Sequence, residues 1–171
     1  MEIRRIGVIG AGQMGNGIAH VCALAGYDVV LNDVSQEALD AGMETIHGNL
    51  ARQVKREKIT EEARDAALAR IRPSLEAAEA GPCDVIIEAV SEREEIKARV
   101  FEGLAPHLGA DTILTSNTSS ISITRMASRT DRPEKFMGLH FMNPVPVMQL
   151  VELIRGIATD DATYHALVAF V

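Results

Sequence analysis

His140 and Glu152 stand 12 residues apart in GLHFMNPVPVMQLVELI (138–154), two ionisable groups in an apolar run broken by prolines. A histidine titrates near neutral pH, so it can take a proton from a hydroxyl and return it. The imidazolium formed in that step needs a counter-charge. A carboxylate such as Glu152 would fix the ring in one tautomer and stabilise its charge. Asn143, three residues after His140, is close enough to donate to an oxygen at the same centre. The structural alternative is a lone histidine packed among apolar neighbours. Removing a hydroxyl proton is one half of an alcohol oxidation. The other half is a hydride leaving the carbon, and the hydride needs an acceptor.

A site for such an acceptor is written near the N-terminus. Gly10-Ala11-Gly12-Gln13-Met14-Gly15 is G-x-G-x-x-G; it follows the apolar run RRIGVI (4–9) and opens a helical pattern. In that context Gly10 permits the tight turn, Gly12 lets backbone approach a pyrophosphate, and Gly15 lets the helix pack closely on the strand. Gln13 and Met14 begin the helix, whose free N–H groups and positive dipole end favour phosphate. Asp33 ends the next strand, 21 residues after Gly12. It can accept from both hydroxyls of an adenosine ribose and would repel a 2′-phosphate. No Lys or Arg lies between it and Arg52. These residues favour NAD over NADP. The alternative is a glycine turn and a solvated aspartate, which leaves the agreement of strand, spacing and acid unexplained.

Two further polar groups follow apolar strands. Ser91, Glu92 and then Lys97 come after DVIIEAV (84–90), and Thr115-Ser116-Asn117-Thr118-Ser119-Ser120 comes after Ile113-Leu114. Their hydroxyls and amide suit a nicotinamide ribose or a substrate oxygen. The plainer alternative for the second group is a cap for a following helix.

These residues need a scaffold that brings strand ends together. Strand patterns are expected at 4–9, 27–33, 81–90, 112–117, 135–142 and 147–154. Helical patterns are expected after residue 13 up to Gly26, then at 36–58, 60–71, 94–108 and from 161 onward. The pair at 36–58 and 60–71 is long for one crossover and reads as a helical hairpin projecting from the sheet after the second strand. Alternation of strand and helix predicts an α/β fold of the Rossmann type, a doubly wound, mainly parallel sheet. Ligands of such sheets lie beyond the carboxyl ends of the strands.

Composition narrows the class. The 171 residues carry a formal net charge of −7, which argues against a nucleic-acid partner. No apolar run approaches the roughly 20 residues of a membrane span. Cys22 and Cys83 are too few for a disulfide framework or a zinc site, and Cys22 falls in an apolar helical pattern, as a core thiol would. No metal site is expected, and a cytoplasmic location is.

The stretches GVIGAGQMGNGIAHVCALAGYDVVLND, IIEAVSEREEIK, SNTSSISIT and GLHFMNPVPVMQLVE spread over residues 6–152. In them the chain resembles the NAD-binding domain of the 3-hydroxyacyl-CoA dehydrogenases, the branch that includes bacterial 3-hydroxybutyryl-CoA dehydrogenases of fatty-acid and lipid metabolism. SNTSS together with HFMNPVPVM is far more specific than the glycine motif. The resemblance implies oxidation of (S)-3-hydroxyacyl-CoA to 3-ketoacyl-CoA with NAD. It implies His140 as base, Glu152 as its partner, Ser119 on the substrate's reacting oxygen and Asn143 near cofactor and base. It places Glu92 and Lys97 on the nicotinamide side and Asp33 on the adenosine ribose. It also implies that the helical hairpin touches coenzyme A. Arg52, Lys55 and Arg56 fall there at i, i+3 and i+4 on one helix face, with Lys58 nearby; the alternative is a solvated face. The family continues into a helical second domain that completes the substrate site and carries most of a homodimer contact. That domain is expected outside residues 1–171, and exposed apolar surface is expected where it docks. Two other readings stay open: a dehydrogenase of a free hydroxy or sugar acid, and an NAD-binding module without turnover.

Overall fold

Short apolar runs bounded by glycine or polar turns make the strands, and amphipathic segments between them make the helices. The computed structural model describes residues 1–171. Its strands are β1 (Arg5–Ile9), β2 (Asp28–Asn32), β3 (Ile71–Ser74), β4 (Val85–Glu88), β5 (Ile113–Ser116), β6 (Phe136–Phe141) and β7 (Val151–Arg155). Its α-helices are α1 (Gln13–Leu24), α2 (Gln36–Lys55), α3 (Glu61–Arg70), α4 (Glu94–Leu104), α5 (Ile123–Ala127) and α6 (Asp161–Phe170). No helix is long and apolar enough to cross a membrane.

The seven strands form one sheet in the order β3-β2-β1-β4-β5-β6-β7. All neighbours run parallel except β6 and β7, which are antiparallel. β4 and β5 are buried along their whole length, which is why VIIE and ILTS read as unbroken runs and not as alternations. Strand order reverses between β1 and β4, and that switch point opens a crevice at the carboxyl edge.

Helices cover both faces. On one, Ile18, Leu31, Leu39, Ile46 and Leu50 join a single cluster with Val8 and Val29; on the other, Phe101, Leu104, Leu114 and Phe136 pack together. Each such side chain contributes about 1.5–3 kcal/mol by leaving water. Both cysteines are buried thiols, and burial pushes Cys22 up to about 12 and Cys83 up to about 11.

Two expectations need correction. The hairpin of α2 and α3 does not project freely. Leu39, Gly42, Ile46 and Leu50 form a buried stripe on α2, Ala67 is buried on α3, and both helices pack on α1. The pair is the crossover from β2 to β3, a strand the sequence did not reveal. IRPS is only four residues long and contains Pro73, which cannot donate to a ladder. It is tolerated because β3 is an edge strand paired with β2 alone. The second correction concerns 147–154. The N–H groups of Val147 and Met148 both donate to the Pro144 carbonyl, forming a turn, so β7 starts only at Val151.

The contact of α1 with α2 holds a titratable group. His20 is 1% exposed, its Nε2 lies 2.8 Å from Gln53 Oε1, and its Nδ1 has no partner. Burial lowers its pKa from the ordinary 6.5, against a smaller opposing effect of Gln53. A lowered histidine pKa costs nothing above the unfolded value. Below it, the unfolded chain takes a proton that folded His20 refuses. Stability should therefore fall as pH drops below 6.5, by at most about 1.4 kcal/mol per pH unit. Denaturant unfolding at about pH 7.5 and about pH 5.5 checks this: the native chain should lose more stability than a His20→Gln variant. Equal losses would show that His20 titrates normally.

Candidate active site at the carboxyl edge of the sheet

β1, β4, β5 and β6 are consecutive neighbours, and each delivers one part of the site from its carboxyl end. The glycine loop follows β1. Gly10 has φ +104°, a conformation L side chains rarely adopt, and a Cβ on Gly15 would overlap the Gly10 carbonyl oxygen. A Cβ on Gly12 would meet nothing within 4 Å, so the loop borders open space in front of the α1 N-terminus. Gln13 is exposed and Met14 half-buried at that terminus. Asp33 is half-buried just after β2. Its Oδ2 accepts from the Ala11 N–H at 2.9 Å and its Oδ1 from the Ser35 N–H at 3.0 Å. Each oxygen can accept a further bond, so the carboxylate both fixes the loop and retains capacity for a diol. The open space, the free helix N-terminus and the diol acceptor fit the phosphates and ribose of NAD. Asp33→Ala should weaken NADH binding by about 10- to 100-fold, the worth of charge-assisted hydrogen bonds. NADPH should suffer less, so the preference narrows. A fluorescence titration with both cofactors measures it, and an unchanged ratio would refute the ribose assignment.

Beyond β4 the polar residues form a network. Glu92 Oε1 accepts from the Thr118 hydroxyl, and Glu92 Oε2 accepts from the Ser119 N–H at 2.9 Å and the Ser119 hydroxyl at 3.2 Å. Burial works against ionised Glu92, but the Ser119 N–H, the Thr118 hydroxyl and Lys97 outweigh it, so its pKa is lowered. Lys97 is placed differently from the expectation. Its side chain has no exposure, and its Nζ meets Glu88 Oε2 at 2.7 Å, the Val90 carbonyl at 3.2 Å and Glu92 Oε1 at 3.5 Å. In this arrangement its ammonium is held between Glu88 and Glu92 with no exposed surface. Glu88, which the sequence reading did not single out, is equally buried; it also accepts from the Ser116 hydroxyl and the Val90 N–H. Burial pushes its carboxyl up, opposed by Lys97, Ser116 and Val90. The visible signal was an acid inside the apolar run VIIEAV, which demands a buried partner.

The loop after β5 divides between structure and site. Thr115 and Ser116 are buried in hydrogen bonds to the Ile86 carbonyl and Glu88. Thr118 Oγ1 accepts from the Ser120 and Ile121 N–H groups, and Ser122 caps α5. Ser119 is exposed. Asn117 is half-buried, and its Oδ1 is already taken by the Phe141 N–H at 2.8 Å.

On β6, His140 lies directly opposite Glu152 of β7 in the antiparallel ladder. Side chains at such positions share a face. His140 Nδ1 is 3.4 Å from Glu152 Oε1, with the ring 21% and the acid 52% exposed. The contact is long for a hydrogen bond, as catalytic contacts often are before a ligand closes the site. It leaves Nε2 as the nitrogen free to face a substrate. Asn143 is exposed and accepts from Gln13 Nε2 at 3.3 Å, which ties the turn after β6 to the glycine loop.

Next to this edge lies an open cavity of about 730 Å³. Phe141, Val145, Met148 and Val151 give it apolar lining, and Arg52, Arg56 and Lys58 line it as well. Asn49, Arg52 and Gln53 of α2 and its C-cap Arg56 line it; Lys55 is exposed but does not. At 100° per residue those four positions form one face, and Lys55 falls to its side. Val147, Met148, Leu150 and Val171 are exposed large apolar residues.

The sequence profile described as "3-hydroxyacyl-CoA dehydrogenase, NAD binding domain" matches residues 5–171. A 3-hydroxybutyryl-CoA dehydrogenase from Bradyrhizobium diazoefficiens is 60% identical over 169 residues, which are 99% of this chain and 58% of that protein. A 3-hydroxyadipyl-CoA dehydrogenase from Escherichia coli is 45% identical over 159 residues, 93% of this chain and 34% of that one. Among solved structures, an (S)-3-hydroxybutyryl-CoA dehydrogenase from Ralstonia eutropha superposes with a TM-score of 0.96 at 46% identity, over 99% of this chain and 60% of its own. The chain thus spans a little under two thirds of the length of the first of these relatives. With a Rossmann-type sheet, a dinucleotide loop at its switch point and a profile match over nearly every residue, the chain belongs to the 3-hydroxyacyl-CoA dehydrogenase family, as its NAD-binding domain.

Proposed function

We propose that this protein interconverts (S)-3-hydroxyacyl-CoA and 3-ketoacyl-CoA, with 3-hydroxybutyryl-CoA as its substrate, and that residues 1–171 carry its cofactor site and general base. The observation that carries the coenzyme A assignment is the cavity beside β6, apolar near Phe141 and Val151 and basic at Arg52, Arg56 and Lys58. An acyl-pantetheine arm suits the apolar residues and the phosphates of coenzyme A suit the basic ones. In a chain of net charge −7 such a basic cluster is local. The names of the relatives above point the same way.

In the oxidising direction, His140 Nε2 takes the proton of the C3 hydroxyl. Its Nδ1–H faces Glu152, whose carboxylate stabilises the imidazolium. Ser119 donates to the reacting oxygen and Asn143 holds the substrate beside the base. NAD, held by the glycine loop and Asp33, would supply the acceptor for the hydride of C3. In the reducing direction the imidazolium returns the proton to the oxygen. The helical domain of the family would cover this cleft and complete a homo-oligomer, in the cytoplasm.

The test is oxidation of NADH by the purified chain with acetoacetyl-CoA, beside free acetoacetate and a parallel NADH titration. Turnover confined to the CoA thioester is expected. Preference for the free acid would overturn the substrate assignment. Tight NADH binding without turnover would leave residues 1–171 as a cofactor module only.

A further inference from the structure

We infer that Asn117 is a positioning residue for His140: its side chain supplies the last rung of the sheet beside the base. The inference rests on the reading of His140 given above. The register carries it. β5 and β6 pair only as far as Ser116 and Gly138, whereas β6 and β7 continue to Phe141 and Val151. Leu139, His140 and Phe141 therefore run past the end of β5, and on that side the backbone ladder offers them nothing.

Asn117, the residue after β5, closes this gap. Its backbone N–H donates to the Glu88 carbonyl at 2.8 Å, which anchors it to β4. Its Oδ1 accepts from the Phe141 N–H at 2.8 Å, which anchors it to β6 one residue past the base. A side-chain oxygen here does the work of a strand carbonyl. On its other side β6 is paired along the backbone with β7 as far as Phe141 and Val151. β7 is the sheet edge, has no second partner, and offers a half-exposed Glu152 at 3.4 Å. Asn117 thus supplies, on the β5 side of His140, the constraint that the β5 backbone does not reach far enough to give. Its Nδ2 makes no hydrogen bond within the protein.

The two ends of the amide can be separated by substitution. Asn117→Asp keeps the oxygen acceptor and removes the amide donor. Asn117→Leu removes both at similar size, and Asn117→Ala serves if the leucine variant folds poorly. Three readouts are taken on each: amide hydrogen exchange at Phe141, the His140 ring resonances, and NADH affinity. Exchange at Phe141 should rise by about 10-fold or more in the leucine and alanine variants, the worth of one hydrogen bond. The His140 ring signals should move in the same two variants. Asn117→Asp should restore the protection, and NADH affinity should persist in all. In the acetoacetyl-CoA reaction, kcat should fall by about 10- to 100-fold in the leucine variant with little change in KM for NADH, and Asn117→Asp should recover most of it.

Unchanged Phe141 exchange in Asn117→Leu would overturn the inference. So would equal loss of NADH affinity in Asn117→Asp and Asn117→Leu with kcat intact, which would make Asn117 a cofactor contact through Nδ2. His140→Ala is run alongside. If it keeps its turnover, the base assignment fails separately from the exchange result.

Discussion

Replacing His140 with alanine is expected to lower acetoacetyl-CoA-dependent NADH oxidation by about 10²–10⁴-fold, the usual worth of a positioned general base. NADH should bind as before, because the glycine loop and Asp33 lie on β1 and β2, separated from β6 by β4 and β5. The expectation follows from the ladder. His140 and Glu152 are direct cross-strand partners, so the backbone register brings an imidazole and a carboxylate to one face. Glu152→Gln should cost less, because that acid is 52% exposed and water already screens its charge. Absorbance of NADH gives the rate and a fluorescence titration gives the affinity. Turnover close to that of the unaltered protein in His140→Ala would remove His140 from the mechanism.

Replacing Lys97 with methionine should be the most destabilising single change in the crevice. Glu88 and Lys97 are both fully buried and 2.7 Å apart. Removing one partner of such a pair leaves an uncompensated buried charge and costs about 3–5 kcal/mol. For a chain of this size that lowers the melting temperature by roughly 6–20 °C. Methionine fills much of the lysine's volume, so lost packing is a small part of the loss. Adding Glu88→Gln to Lys97→Met should recover part of it, because the stranded carboxylate is gone. Thermal unfolding of the three variants checks this. A single Lys97→Met variant that melts within about 2 °C of the native chain would show that the pair contributes little net stability. The same substitution strips Glu92 of the cation 3.5 Å away and loosens its hold on Thr118 and Ser119, so NADH affinity is expected to fall with stability.

Much of the fold was legible because its signals are local. A strand, a glycine turn and a helix occupy residues 5–24, and Asp33 follows at the next strand end. Each of these is set by neighbours in the chain: apolar runs buried on both faces, a positive φ at Gly10, and helix stripes such as Leu39, Ile46 and Leu50. The pairing of His140 with Glu152 was legible too, because strands adjacent in sequence with only residues 142–150 between them tend to pair with each other. β3 was not, since IRPS looks like a loop until β2 is there to receive it.

The sequence by itself determined the α/β class, the dinucleotide loop, Asp33, and the histidine and acid on β6 and β7, because local backbone preference and short-range spacing suffice for each. Only the tertiary structure decided which polar residues find partners within the protein. Lys97 and Asn117 looked like cofactor contacts in the chain. Burial turned Lys97 inward to Glu88, and the early end of β5 claimed the oxygen of Asn117 for Phe141. Lys55 likewise lay among basic neighbours until the rotation of α2 placed Arg52 and Arg56 on the cavity and left it aside. Residues far apart in sequence must satisfy one another's charges and hydrogen bonds once water is gone, and no window along the chain contains both partners.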